Sequence, residues 1–271
     1  MFRFGLTRLK ALALSVPLAL ASASAFAAPT QLGFAIDGSG SINSTEFSTQ
    51  RQGLANAFGA LPTDSSVEIT VVQFSSSQRL EVGPLLIDSV ATRNSLVTQT
   101  NAIGQLGGGT DPELAIDRLT SEMTGSSNFG GDSIINLSTD GGFSLSPALT
   151  SANAAKAAGI DALTGEGIGS GANLNNLQSL VYGPNTNPND GSGQILATDA
   201  TPPNPLATGV NPWVVPVSDF NAFGPVIQSK IQAVVDVPAP ATLILTLAGI
   251  AGLAATRIGR RRQSATALAA A

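Results

Sequence analysis

The amino-acid sequence predicts an α/β fold, a doubly wound and mainly parallel sheet flanked by helices. Three observations predict it. Val67–Ser75 (VEITVVQFS) and Ser133–Ser138 (SIINLS) are runs of strand length, the first rich in β-branched residues, as buried strands should be. Segments of helical character separate such runs, and alternation of strand and helix marks a sheet whose strands are joined by crossover helices. Residues 28–236, between two basic apolar ends, have the length of one ordinary domain.

Gln31–Ile36 reads as the first strand and runs into Asp37-Gly38-Ser39-Gly40-Ser41. A helix follows over Ser44–Leu61: Ser44 or Thr45 can cap it, and Phe47, Leu54, Ala57 and Phe58 fall near one face. Val67–Ser75 is the next strand, Arg79–Ile87 a shorter edge strand and Ala91–Leu106 a helix of mixed polarity. Pro112 suits a first helical turn, where its missing N–H is no loss, so Asp111–Met123 reads as helical. Ser133–Ser138 ends at Thr139-Asp140-Gly141-Gly142, and the Ala-rich helix Pro147–Ala158 has Gly159 as a natural C-cap. Ile160–Thr164 and Trp213–Val217 are further strands, Pro216 demoting the second to an edge. Phe220–Val235 is the last helix, with Phe223, Ile227, Ile231 and Val234 along one face. Residues 183–211, rich in Pro, Asn, Gly and Thr, read as a long surface insertion.

Composition narrows the chemistry. The 271 residues include no cysteine and no histidine, which removes thiol nucleophiles, disulfides, thiolate zinc sites and any Ser-His-Asp relay. A metal would have to sit among oxygen ligands. The formal charge of −5 conceals a partition: all 18 acidic residues lie between Asp37 and Asp236, against six basic ones there, which leaves that stretch at −12. Such a domain repels phosphate backbones, so no nucleic-acid partner is expected.

The remaining basic residues belong to the ends. Arg3, Arg8 and Lys10 precede the apolar run 11–23, and Ala25-Phe26-Ala27 supplies small residues for cleavage, so 1–27 reads as a secretory signal peptide. Val237–Thr256 is uncharged and directly precedes Arg257, Arg260, Arg261 and Arg262. That is the pattern of a transmembrane helix, placed at 239–256, with its basic flank kept in the cytoplasm. Val237-Pro238-Ala239-Pro240, the Leu-rich helix and the Arg run together resemble the PEP-CTERM sorting signal of Gram-negative bacteria, with Ala239 where that family usually has Glu. The resemblance covers 237–262, ahead of a tail at 263–271. It implies an inner-membrane intermediate, processing by an exosortase and release to the cell surface or an extracellular polymer matrix.

Three loops carry the candidate chemistry. Asp37-x-Ser39-x-Ser41 follows a buried strand, and alternate residues of a turning loop can aim one carboxylate and two hydroxyls at one point. Gly107-Gly108-Gly109-Thr110 offers a further hydroxyl, and Asp140 a second carboxylate after another buried strand. In a doubly wound sheet the carboxyl ends of neighbouring strands share an edge, so these loops can converge. An EF-hand register on the same residues would put Ala35 at the first position, where a carboxylate is needed.

The residue set Asp37, Ser39, Ser41, Thr110 and Asp140, in this order, resembles the metal-ion-dependent adhesion site of von Willebrand factor type A domains. The resemblance extends over most of residues 30–236. It implies a divalent cation, Mg²⁺ with Mn²⁺ or Ca²⁺ as alternatives, and a position left open for an acidic group of a partner. The expected function is therefore an exported binding or adhesion module, not an enzyme, whose partner is a protein or an acidic polysaccharide. The alternatives are a matrix protein in which the ion only ties loops together, and a hydrolase using metal-activated water, which lacks an evident general base.

Overall fold

The computed structural model describes residues 28–235. The expected signal peptide 1–27, the sorting segment 237–262 with its helix 239–256, and the tail 263–271 lie outside the described residues. Among the described residues no helix is long and apolar enough to cross a membrane.

The strands are β1 (Thr30–Asp37), β2 (Val67–Phe74), β3 (Gln78–Leu86), β4 (Ser133–Thr139), β5 (Ala162–Ile168), β6 (Gln194–Ile195) and β7 (Trp213–Val217). They form one sheet in the order β3-β2-β1-β4-β5-β7-β6, in which only β3 pairs antiparallel. The helices are α1 (Ser44–Phe58), α2 (Val90–Asn101), α3 (Pro112–Gly125), α4 (Leu145–Ala157), α5 (Leu174–Leu180) and α6 (Phe220–Val235). Side chains of α1, α2 and α6 pack with one sheet face, including Leu54, Phe58, Leu96, Phe223 and Ile227. Those of α3, α4 and α5 pack with the other, including Ile116, Leu119, Ala152 and Leu177. Helices on both faces explain why β2, β4 and β5 are buried along their whole length, and so why their sequences are not alternating. The expected doubly wound, mainly parallel fold is what the chain adopts.

Local differences from expectation have local causes. Asn43, not Ser44 or Thr45, caps α1: its side chain accepts from the Thr45 and Glu46 amides at 3.0 Å each, and Glu46 accepts from the Asn43 amide at 2.9 Å. This reciprocal capping box satisfies donors that a helix end otherwise leaves open. β3 is an edge strand as expected, but its nine residues make it longer than β2, and register shifts interrupt its pairing. α2 stops at Asn101, and residues 102–111 form the loop that carries Thr110. α4 begins two residues before Pro147, and β5 lies at Ala162–Ile168 in place of Ile160–Thr164. Residue Ala158 is the C-cap of α4, and Gly159 follows it with φ +96°.

The larger correction concerns residues 183–211. This segment is more than a surface insertion: it contributes β6, and Leu196, Leu206 and Val210 pack against the core. β7 is consequently not an edge, because β6 covers Trp213 and Val214. Pro216, which cannot donate a ladder hydrogen bond, lies beyond the reach of the two-residue β6.

One buried charge pair ties α6 to the sheet. Lys230 Nζ donates to Glu166 Oε1 at 2.9 Å and to Thr164 Oγ1, and lies 4.8 Å from the centre of the Trp213 ring. Glu166 also accepts from Ser138 Oγ at 2.9 Å. Both charged residues are buried, so neither finds water as an alternative partner.

Candidate metal centre

β1 and β4 are neighbours at the middle of the sheet, yet the chain leaves them in opposite directions, β1 towards β2 and β4 towards β5. Such a switch point opens a crevice outside the carboxyl ends of the two strands. The pairing of Ile36 with Ser138 sets Asp37 level with Thr139, one residue before Asp140.

The five residues expected at this edge converge there. Ser39 Oγ lies 2.9 Å from Ser41 Oγ, and Ser41 Oγ donates to Asp140 Oδ1 at 2.7 Å. Asp37 accepts from the Ser39 amide at 2.7 Å and from Thr139 Oγ1 at 2.6 Å. Thr110 completes the group from the third loop: a Cβ placed on Gly141 would lie 3.4 Å from Thr110 Oγ1 and 3.6 Å from Ser41 Oγ, so both hydroxyls border the same small space. Asp37 and Ser39 are fully buried, Thr110 and Asp140 half-buried and Ser41 exposed. The cluster has a closed floor and one open side.

Backbone contacts hold the loops in register. The Gly40 amide donates to the Gly108 carbonyl and the Gly107 amide to the Gly38 carbonyl, both at 2.8 Å. Gly107 and Gly108 have φ of +73° and +94°, left-handed values that a side chain disfavours, so this turn depends on glycine. Gln105 Nε2 donates to the carbonyls of Ser39 (2.9 Å) and Ile42 (2.7 Å), clamping the first loop from outside. Gln73 Oε1 accepts from the Leu106 amide at 2.7 Å. These two glutamines and Thr139 were not legible as site residues. Thr139 stands beside Asp140 and so had a positional signal, but Gln73 and Gln105 meet the loops only through the fold.

Electrostatics sets this edge apart. Burial pushes the Asp37 carboxyl up to about 6, against the opposing pull of hydrogen bonds from Ser39 and Thr139. Burial also raises Asp140, with Glu46 adding to the effect. Among the described residues, none of the ion pairs involves either carboxylate. The donor set suits a hard divalent cation. Oxygens at about 2.0–2.1 Å around an octahedral Mg²⁺ sit about 2.9 Å from their neighbours, close to the 2.7–2.9 Å spacings along Ser39, Ser41 and Asp140. Two carboxylates would nearly neutralise such an ion. Among the described residues no group of three or more acidic side chains offers a carboxylate-only site.

Comparison with known proteins agrees with this architecture. The model of the von Willebrand factor type A domain family matches residues 31–195. Among solved structures, the chain is similar to proximal thread matrix protein 1 from the mussel byssus, at 16% identity and a TM-score of 0.56, covering 76% of this chain and 48% of that one. A further structure of the mussel protein is described as having a zinc-occupied MIDAS motif (16% identity, TM-score 0.56, 78% and 48% covered). The conserved hypothetical protein BatB from Bacteroides thetaiotaomicron matches at 16% identity and a TM-score of 0.54, with 76% of this chain and 98% of that one covered. The chain spans about half the length of the mussel protein. Among curated proteins, no sequence matches.

Proposed function

The chain belongs to the von Willebrand factor type A domain family, and from that premise we propose that it is a metal-ion-dependent binding module acting in adhesion or in the organisation of a cell surface or extracellular matrix. The observation that carries this reading is Asp37: a fully buried carboxylate, surrounded by hydroxyl groups and a second carboxylate, with no cation among the described residues in ion-pair contact. Asp37, Ser39, Ser41, Thr110 and Asp140 would hold the ion, Mg²⁺ or another divalent cation, directly or through water. When bound, the ion supplies positive charge for an acidic group of a partner. The open side at Ser41 and Asp140 favours such an exchangeable position over an ion that only ties loops together. The zinc-occupied motif of the mussel matrix protein supports the same use of the fold.

Chain direction supports presentation outward. Parallel strands put the oxygen cluster at their carboxyl ends, while β1 begins, and α6 ends, at the opposite edge, where Val234 lines a small cavity with Leu32 and Ile134. A tether following residue 235, as the PEP-CTERM-like segment would provide, leaves the cluster facing away from the membrane. In this reading the signal peptide exports the chain, the C-terminal helix holds an inner-membrane intermediate, and processing releases the domain to the surface or matrix. The module binds and does not catalyse. Titration of Mg²⁺ into the purified chain tests the site: Asp37→Ala should abolish saturable binding while the far-ultraviolet circular dichroism is kept. Unchanged binding in that variant would overturn the assignment.

A further inference from the structure

Beside the oxygen cluster lies a groove of about 520 Å³ between α1 and α6, a volume in the roughly 300–1,000 Å³ range of small-ligand sites. It forms where the two helices approach over glycine: a Cβ on Gly53 would stand 2.9 Å from Gly224 Cα, so the backbones meet directly and the flanking side chains stand apart. Its polar walls are Thr45, Ser48, Gln52 and Asn56 from α1, and Asn221 and Gln228 from α6. These six are exposed, Thr49 beside them is half-buried, and no charged residue among the described residues lines the groove.

We propose that this groove is a saccharide subsite, taking the uncharged, hydroxyl-bearing residues of an acidic polysaccharide whose carboxylate occupies the metal edge. The proposal rests on the metal-centre reading above. Hydroxyl and carboxamide groups both donate and accept, which matches sugar hydroxyls, whereas a site for charged peptide side chains would carry opposing charge. Position fits the same ligand. Thr45 is four residues beyond Ser41, so the groove begins within about 14 Å of the cluster even for fully extended chain. Both α1 and α6 start at the carboxyl edge of the sheet, which aligns the groove mouth with the cluster.

The test uses the purified full chain and an oligosaccharide that alternates neutral hexose with uronic acid, titrated calorimetrically with Mg²⁺ and with chelator. Asn56→Ala combined with Gln228→Ala removes two exposed amides without touching the core. It should weaken oligosaccharide binding about tenfold, the effect of losing hydrogen bonds worth about 1 kcal/mol in total or slightly more. Mg²⁺ binding by the double variant alone should match the wild type. If the double variant binds the oligosaccharide as the wild type does, the groove proposal is overturned, and loss of binding in Asp37→Ala then shows that the metal reading stands without it. If neither protein binds Mg²⁺, the metal reading fails, and with it the combined subsite. An acidic peptide that binds in place of the oligosaccharide, and that loses affinity in the double variant, would assign the groove to a protein partner and overturn the saccharide.

Discussion

Two of the buried carboxylates of this sheet, Glu166 and Asp37, are treated in opposite ways. Glu166, on β5, has Lys230 at 2.9 Å, Ser138 as a hydrogen-bond donor and the Trp213 ring against the ammonium group. Asp37, at the end of β1, has hydroxyl and amide donors and a neighbouring carboxylate, and no ion pair among the described residues. The first charge is neutralised from within the chain and sealed under α6. The second lies at the floor of a crevice with one open side. A buried carboxylate costs several kcal/mol unless it is paired or hydrogen-bonded; Glu68, also buried, is matched by the Gln31 and Asn128 carboxamides, whereas Asp37 has a second carboxylate beside it.

This contrast can be broken first at Glu166. Lys230→Met leaves that carboxylate buried and alone, and should lower unfolding stability by roughly 3–5 kcal/mol, read from urea denaturation. Mg²⁺ should not restore it. Adding Glu166→Gln in the same chain should recover much of the loss, because the uncompensated charge goes with it; a double variant no more stable than the single one would contradict this account.

The opposite response is expected at Asp37. The folded protein holds this proton more tightly than the unfolded chain does, with a carboxyl raised from 3.8 to about 6. In chelator, the contribution of Asp37 to stability should therefore be greatest below about pH 4 and fall as pH rises to about 6, by up to roughly 3 kcal/mol at 1.36 kcal/mol per pH unit, read as the difference in pH dependence between the wild type and Asp37→Asn. Saturating divalent cation, which binds the ionised form, should flatten or reverse that slope. Asp37→Asn should accordingly stabilise the metal-free protein at pH 7 and remove the response to cation, a pairing that thermal melts with and without chelator would detect. In the wild type, cation at about a hundred times its Kd should add about 2.7 kcal/mol, a Tm rise of roughly 5–10 °C for a domain of this size.

The smallest effects separate binding from scaffolding. Ser41→Ala removes an exposed donor and should weaken cation affinity while leaving metal-free stability within about 0.5 kcal/mol. Asn43→Ala, two residues on, should do the reverse: it removes the cap of α1 at a cost of about 1 kcal/mol, with cation affinity nearly kept.

The elements that were legible share one property: their pattern is set by burial over a whole segment. β2 and β4 are covered on both faces and read as strand-length runs rich in β-branched and other apolar residues, and α6 matches its expected limits because Phe223, Ile227, Ile231 and Val234 recur at helical spacing. What was not legible is short or borrowed. α5 has seven mostly polar residues, and β6 has two, created by pairing with β7. The Asn43 cap was hidden because three neighbouring residue types can each cap a helix, and only the backbone conformation at Asn43 decides among them.

The same division runs through the candidate site. By itself the sequence determined the doubly wound class, the absence of thiol and imidazole chemistry, the acidic character of the domain and which five oxygen-bearing residues follow strands or glycine turns, since each depends on residue type and local periodicity. Only the tertiary structure decided that Asp37 and Asp140, 103 positions apart, face one crevice, that Gln73 and Gln105 brace its loops, and that Lys230 neutralises Glu166. Strand order and helix crossing set those distances, and neither is written in any local stretch of chain.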